Sequence, residues 1–313
     1  MTKHRIIQNG KQLGYLEEAL AAQYDVHFLA KEADPKAYLA QHGGEFEALV
    51  TSAGVGADAA LIGALPNIKV ISSFGVGYEK VDVAAARARG IPVGYTPDVL
   101  NDCVADTAFA LVLDVARQFT ASDKFLRQGN WLKGNFPLAT KVSRKRMGIL
   151  GLGRIGNAIA QRARGFDMEV RYHNRKPVAG SPYGYEASLK SLAEWSDFLV
   201  IAAAGGAETR HMVSREILTA LGPKGFVVNI ARGSVIDEQA LIEALEKKEI
   251  LGAGLDVFED EPRVPERLIA CENTVLFPHL ASGTFETRKA MADQVLDNLA
   301  GFFKDGKVPV AVP

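Results

Sequence analysis

Along the first hundred positions, short apolar runs alternate with segments whose apolar residues recur at helical spacing. Runs at 5–8, 26–29, 48–51 and 70–73 read as strands, with a further one around Val93. Residues 13–22, the stretch opened by Asp34-Pro35, and residues 58–65 and 83–89 read as helices. Asp34 and Asp82 suit the N-cap, where a carboxylate accepts from an unpaired backbone N–H, and Pro35 suits the first helical position. Gly90 ends the fourth helix. Alternation of this kind predicts a parallel sheet covered by helices on both faces.

Thr96-Pro97-Asp98 breaks the pattern. Residues 102–119, rich in Ala, Leu and Val, then predict a long helix without a strong polar face, expected to be buried between two lobes. Residues 128–138, with Trp131 and Phe136, read as an irregular loop that must pack on something. From Met147 the alternation restarts, with strands expected at 147–150, 169–172, 198–203, 226–230, 253–257 and 274–277. Helices are expected at 214–221, 238–247 and 284–303. The last one carries an apolar stripe (Met291, Val295, Leu299, Phe302) that needs a partner, and the tail 308–312 is free to return to the first lobe. Two such lobes imply a ligand cleft between them, at the carboxyl ends of their strands.

Bulk properties narrow the function classes. At 313 residues the chain is long enough for two cores. Its 48% hydrophobic and 23% charged content is that of a globular protein, and a net charge of −1 gives no electrostatic footprint for nucleic acid or an anionic membrane. Arg144, Lys145 and Arg146 read as a solvated face, with phosphate steering as the alternative. Cys103 and Cys271 are far apart and match no metal spacing, so no metal and a reducing compartment are expected. Met1-Thr2-Lys3-His4-Arg5 leads into a strand and not into a signal-peptide apolar region, and the longest apolar runs are too short to span a bilayer. A cytoplasmic protein is the expectation.

The restart point carries the first chemistry. Gly151-Leu152-Gly153-Arg154-Ile155-Gly156 follows an apolar strand and opens a helix. The first glycine permits a tight turn, the second lets backbone approach a pyrophosphate, and the third lets helix pack on strand. A diphosphate then sits at the helix N-terminus. At the end of the next strand, where an Asp or Glu would hold the ribose 2′-OH of NAD, stand Asn174, Arg175 and Lys176. Hydrogen-bonding and positive groups suit a 2′-phosphate, so NADP is expected over NAD, against the plainer reading of a solvated turn before Pro177. Arg232, Glu261 and His279 each follow an apolar strand of the second lobe. Singly they read as a surface charge, a solvated acid and a loop histidine. Together they are the groups that reduction of a 2-oxo acid needs: a fork for the carboxylate, a proton donor active near neutral pH, and an acid to orient that donor.

The segments Phe74-Gly75-Val76-Gly77-Tyr78-Glu79-Lys80-Val81-Asp82, Val104-Ala105-Asp106-Thr107, the glycine turn, Asn229-Ile230-Ala231-Arg232-Gly233, Gly254-Leu255-Asp256-Val257-Phe258-Glu259 and Pro278-His279 together resemble the D-2-hydroxyacid dehydrogenase family, over nearly the whole chain. Asn130-Trp131, Leu221-Gly222-Pro223-Lys224-Gly225 and Gly283-Thr284-Phe285-Glu286-Thr287-Arg288-Lys289 are similar to its NADPH-dependent glyoxylate/hydroxypyruvate reductases and its hydroxyphenylpyruvate reductases. The resemblance implies an α/β chain of two doubly wound parallel-sheet lobes. A flavodoxin-like substrate-binding domain would comprise 1–98 and 286–313, and a Rossmann NADP-binding domain 99–285. It implies that Arg232 binds and polarises the substrate, that Glu261 partners His279, and that His279 donates the proton. Val76 and Gly77 would offer backbone N–H groups to the substrate carboxylate. Thr107, Arg154, Ile155, Ala203, Ile230, Ala231, Asp256, His279, Ser282 and Gly283 would join the glycine turn in contacting the cofactor, Asp256 facing the nicotinamide amide. A homodimer through the cofactor domains is implied, with the loop near Trp131 able to reach the neighbouring site. Two positions depart from the family pattern: Ala203-Ala204-Gly205-Gly206-Ala207 replaces a Leu-Thr-Pro-type loop, and Tyr78 replaces a small or acidic residue. The expected activity is reduction of glyoxylate or hydroxypyruvate by NADPH. The alternatives are an aryl-pyruvate reductase of the same family and a dinucleotide-sensing corepressor-like binding protein.

Overall fold

A computed structural model describes residues 3–313; Met1 and Thr2, the start of the segment read as leading into the first strand, lie outside the described residues. The elements in order are β1 (Arg5–Gln8), α1 (Gly14–Gln23), β2 (Asp25–Phe28), α2 (Pro35–His42), β3 (Ala48–Ser52), α3 (Ala59–Gly63), β4 (Val70–Phe74), α4 (Val83–Ala88) and β5 (Val93–Gly94). Then come α5 (Asn101–Arg117), α6 (Phe119–Arg127), β6 (Arg146–Leu150), α7 (Arg154–Arg164), β7 (Glu169–His173), β8 (Gly184–Tyr185), α8 (Leu189–Trp195) and β9 (Phe198–Ile201). The chain ends with α9 (Arg215–Leu221), β10 (Phe226–Asn229), α10 (Glu238–Glu246), β11 (Gly252–Leu255), α11 (Glu266–Ile269), β12 (Thr274–Leu276) and α12 (Phe285–Asp305). It divides into two compact units, one holding the residues up to Leu100 with Gly283–Pro313, the other Asn101–Ser282.

The first unit is a five-stranded parallel sheet in the order β2-β1-β3-β4-β5, the flavodoxin-type winding. Its strands are continuous apolar runs because helices cover both faces, and Ile7, Leu49, Ile71 and Phe46 lie in the core. Side chains of Asp34, Asp58 and Asp82 cap their helices as the pattern requires. Helix α12 lies along β4 and α1, which buries Met291, Val295 and Leu299 and leaves Phe302 half-buried. The tail then runs beside β5, where Val312 N donates to Val93 O and Tyr95 N to Val310 O. Buried Asn298 joins the two, donating to Tyr95 O and accepting from Val310 N.

The second unit is a seven-stranded parallel sheet in the order β12-β11-β10-β9-β6-β7-β8. The winding starts at β6 and proceeds outward in both directions, so the order reverses between β6 and β9. That reversal is where open α/β sheets bind ligands. Helix α5 packs on β10, β11 and α7, close enough that a Cβ on Gly254 would stand 3.0 Å from Leu111 Cβ.

Four features differ from the sequence expectation. The long helix stops at Arg117, because buried Asp114 draws the backbone N–H and hydroxyl of Thr120 to its carboxylate and Gln118 takes a left-handed φ of 56°. A separate helix, α6, follows. Strands β9 to β12 end one or two residues before their apolar runs do, where the chain passes into the following loops. The short elements β8, α8 and α11 carry too few periodic positions to stand out. The loop around Trp131 packs little within the chain: Phe136 meets Phe125 edge to face at 5.4 Å, while Trp131 is 64% and Leu132 95% exposed. Among the described residues no helix is long and apolar enough to cross a membrane.

Candidate active site

The carboxyl end of β6 enters the glycine turn. Gly151 has φ 97°, and a Cβ there would stand 2.6 Å from Ala203 N, so no larger residue fits. A Cβ on Gly156 would land on the Gly151 carbonyl oxygen, which lets α7 start hard against the strand. Gly153 differs from both: it is the N-cap of α7, and no atom lies within 4 Å of where its Cβ would be. Open space in front of the N-terminus of an eleven-residue helix fits a dinucleotide diphosphate. Arg154 and Ile155 form the first helical turn. Leu152 N donates to Asn174 Oδ1 at 2.7 Å, so the Asn174 side chain braces the turn from the end of β7. Beside it Arg175 Nη1 lies 2.8 Å from Glu208 Oε2, and Lys176 is exposed. Arg146 of the basic run pairs instead with Asp197.

Three further strand ends build the reactive group. After β10, Asn229 is buried, its Oδ1 accepting from Ala231 N and its Nδ2 donating to Arg232 O. This fixes the turn that carries Ile230, Ala231 and Arg232. The next residue, Gly233, lies directly on the backbone of Phe258 and Glu259, with no room for a Cβ. The Arg232 turn is thereby docked on the loop that carries Glu261. Glu261 Oε1 accepts from Phe258 N at 3.0 Å, and its Oε2 lies 2.7 Å from His279 Nδ1. Burial pushes the Glu261 pKa up. The hydrogen bonds from His279 and Phe258, and the charges of His279 and Arg232, outweigh burial and hold the carboxyl below its usual value. An ionised carboxylate only accepts, so His279 Nδ1 carries a proton and donates it to Glu261, which leaves Nε2 for chemistry.

A family model described as the NAD binding domain of D-isomer specific 2-hydroxyacid dehydrogenases matches residues 109–281. The chain belongs to the D-isomer specific 2-hydroxyacid dehydrogenase family. This dehydrogenase is 46% identical over 299 residues to the hydroxyphenylpyruvate reductase of Plectranthus scutellarioides, covering 96% of the chain and 95% of that protein. It is 45% identical over 289 residues to glyoxylate/hydroxypyruvate reductase A of Arabidopsis thaliana, with 92% of each covered. The crystal structure of the NADPH-dependent glyoxylate/hydroxypyruvate reductase of Sinorhizobium meliloti, in complex with NADP and malonate, matches with a TM-score of 0.94 and 40% identity, over 99% of this chain and 97% of that one. The dehydrogenase is an oxidoreductase whose cofactor is a nicotinamide dinucleotide.

The remaining expected site residues fall into a supporting layer and a separate unit. Asp256 is fully buried at the end of β11, and its two oxygens accept from Leu280 N at 2.8 Å and Ala281 N at 3.0 Å. Burial raises its pKa, against the pull of those two N–H groups and of His279. In the dehydrogenase the Asp256 carboxylate therefore clamps the backbone after His279, a residue with φ 50°. Thr107 on α5 donates to Ala281 O at 3.4 Å and to Cys103 O at 3.2 Å, which braces the same segment. Ser282 closes this unit and Gly283 opens the last stretch of the other. Val76 and Gly77 belong to the first unit, in the loop after β4. There Thr96 Oγ1 accepts from Gly75 N at 3.0 Å, and Tyr78 meets Tyr95 edge to face at 5.9 Å. Sequence reasoning gave no role to Asn229 or Glu208. Asn229 had a signal, a lone amide closing an apolar strand; Glu208, in a loop of small residues, had none.

Proposed function

We propose that the dehydrogenase reduces the small 2-oxo acids glyoxylate and hydroxypyruvate to 2-hydroxy acids of D configuration, with NADPH as reductant. The observation that carries this reading is the Glu261–His279 pair, with the Arg232 charge acting on it from the adjoining loop. When bound, the dihydronicotinamide supplies the hydride that reduces the carbonyl carbon. Arg232 grips the substrate carboxylate and polarises the carbonyl by charge-assisted hydrogen bonds, each worth about 1.5–3 kcal/mol. Val76 and Gly77, in the first unit, are assigned as backbone N–H donors to a substrate carboxylate. His279, protonated on both nitrogens and held by Glu261 through its Nδ1–H, releases the Nε2 proton to the carbonyl oxygen, a step that gives about 10²–10⁴-fold when the donor is well placed. Thr107, the glycine turn, Ala203, Ile230, Ala231, Ser282 and Gly283 hold the dinucleotide. Arg175 and Lys176 favour its 2′-phosphate over a bare 2′-hydroxyl.

The enzyme is a homodimer through the cofactor unit in this reading. Support comes from α6, which buries none of its residues, and from the exposed Trp131 and Leu132 beside it. A cytoplasmic location suits Cys103 and Cys271, which form no disulfide. The 46% identity to a hydroxyphenylpyruvate reductase supports a second reading in which aryl-pyruvates are the preferred substrates. Glyoxylate, hydroxypyruvate and hydroxyphenylpyruvate, each run with NADPH and NADH in parallel, separate these. Highest kcat/KM for a small acid with NADPH is expected. Turnover confined to the aryl substrate overturns the substrate assignment, and a strong NADH preference overturns the cofactor assignment.

A further inference from the structure

Beyond Ala203, the loop that leaves β9 has no part in the chemistry above. It starts at Ala203 against Gly151, passes Gly206 at φ 145°, and tightens into a single 3-10 turn, Ala207–Thr209. The Thr209 hydroxyl donates to Ala204 O at 2.8 Å, which closes the loop on itself. Its far end is pinned where Arg210 Nη2 and His211 Nε2 meet Glu259 Oε1 at 2.6 and 3.1 Å. Between these anchors, the tip presents Glu208 to Arg175 at 2.8 Å. In a Rossmann unit the end of the second strand reads the ribose 2′ position: an acid there selects the diol, and an arginine accommodates the phosphate. Here both charges stand at that position. The arginine comes from the strand end and the acid is carried in by a different loop.

We propose that Glu208 is a specificity-determining residue that sets the balance between NADPH and NADH by acting on the 2′ position beside Arg175. This rests on the reading of Arg175 as the 2′-phosphate group. A phosphate monoester carries nearly two negative charges at neutral pH. Bound on the Arg175 fork, it shares one cation with the Glu208 carboxylate and is repelled by it. A 2′-hydroxyl carries no charge, and Glu208 offers it an acceptor. Glu208 therefore weakens NADPH and supports NADH, which keeps both dinucleotides usable. Arg175 and Glu208 are 86% and 78% exposed, so water and salt screen the effect. Exposed charge pairs couple by up to about fivefold per unit charge, which puts the effect of a near-dianion at about threefold to tenfold.

The test is equilibrium binding of NADPH and NADH to wild type, Glu208→Gln and Arg175→Ala, at low and high salt. Glutamine keeps the length and an acceptor for the guanidinium but removes the charge. Glu208→Gln is expected to raise the NADPH:NADH affinity ratio about threefold to tenfold at low salt, and less at high salt. An unchanged or lowered ratio, or an equal change for both dinucleotides, overturns the role of Glu208. Arg175→Ala tests the reading beneath it. If that variant loses the NADPH preference while Glu208→Gln does nothing, only the role of Glu208 falls. If Arg175→Ala leaves the ratio untouched, the 2′-phosphate reading itself falls.

Discussion

Replacing Gly233 by alanine puts a methyl group where another backbone already lies. Its Cβ would stand 1.9 Å from the carbonyl carbon of Phe258 and 2.3 Å from Glu259 N, whereas ordinary contact begins at 3.4 Å. The two segments must part by about 1.5 Å, because neither partner atom belongs to a side chain that can swing away. Arg232 precedes Gly233 directly, and Glu261 is tied to Phe258 N, so the parting moves the guanidinium away from the acid–histidine pair. A misplacement of about 1 Å in a reactive group costs on the order of 10²-fold, and overpacking costs about 1–3 kcal/mol of stability. The assay is kcat/KM for glyoxylate with NADPH, read beside NADPH affinity and Tm. Gly233→Ala should lose about 10²-fold in kcat/KM and several degrees in Tm, with NADPH affinity changed little, since the glycine turn is elsewhere. Gly43→Ala, whose Cβ would meet Ala64 O in the first unit, serves as the control: it should lower Tm and leave kcat/KM of the folded enzyme intact. Wild-type kcat/KM in Gly233→Ala would refute the docking of the Arg232 turn on the Glu261 loop.

Other outcomes follow from the same geometry. Gly153→Ala meets no protein atom and has an ordinary φ of −89°, so Tm should fall by no more than a few degrees, the cost of a poorer N-cap, while NADPH binding weakens by at least about tenfold because the methyl occupies the diphosphate's approach; unchanged affinity by titration would place the diphosphate elsewhere. Asp256→Asn keeps one acceptor for two buried N–H groups, so thermal unfolding should show a loss of about 1–3 kcal/mol together with a fall in kcat; retention of both would remove Asp256 as the clamp behind His279. Glu261 has a depressed pKa, so its contribution to stability is present above the usual glutamate value of 4.5 and is lost as pH falls through the lower folded value. The Tm difference between wild type and Glu261→Gln should therefore be constant above that value and shrink below it, and a difference that grows on acidification would reverse the sign of the argument.

Much of this molecule is legible in its sequence, for reasons that lie in particular residues. Strands such as Phe198–Ile201 and Phe226–Asn229 are buried on both faces, so they appear as short apolar runs, whose length and flanking turn residues mark them as strands. The glycine turn is legible because Gly151 and Gly156 answer separate steric demands and Gly153 leaves the helix N-terminus open. Arg232 and His279 stood out just past apolar strands, and Glu261 in the acidic run that follows another. What escaped depends on residues distant in sequence. Asp114 breaking α5, Glu208 reaching Arg175 across 33 positions, and Asp256 clamping the backbone 24 residues on are properties of the folded surface, with no local period or motif to mark them. The aromatic loop was expected to need a partner, yet within one chain Trp131 finds little cover.

The measurement that bears most directly on the proposed chemistry is single-turnover hydride transfer from NADPH to glyoxylate in His279→Gln, with NADPH affinity measured on the same sample. A drop of about 10²–10⁴-fold in the transfer rate with affinity unchanged is the predicted result. A transfer rate equal to that of wild type would contradict it, because the proton would then come from a group other than the imidazole that Glu261 holds.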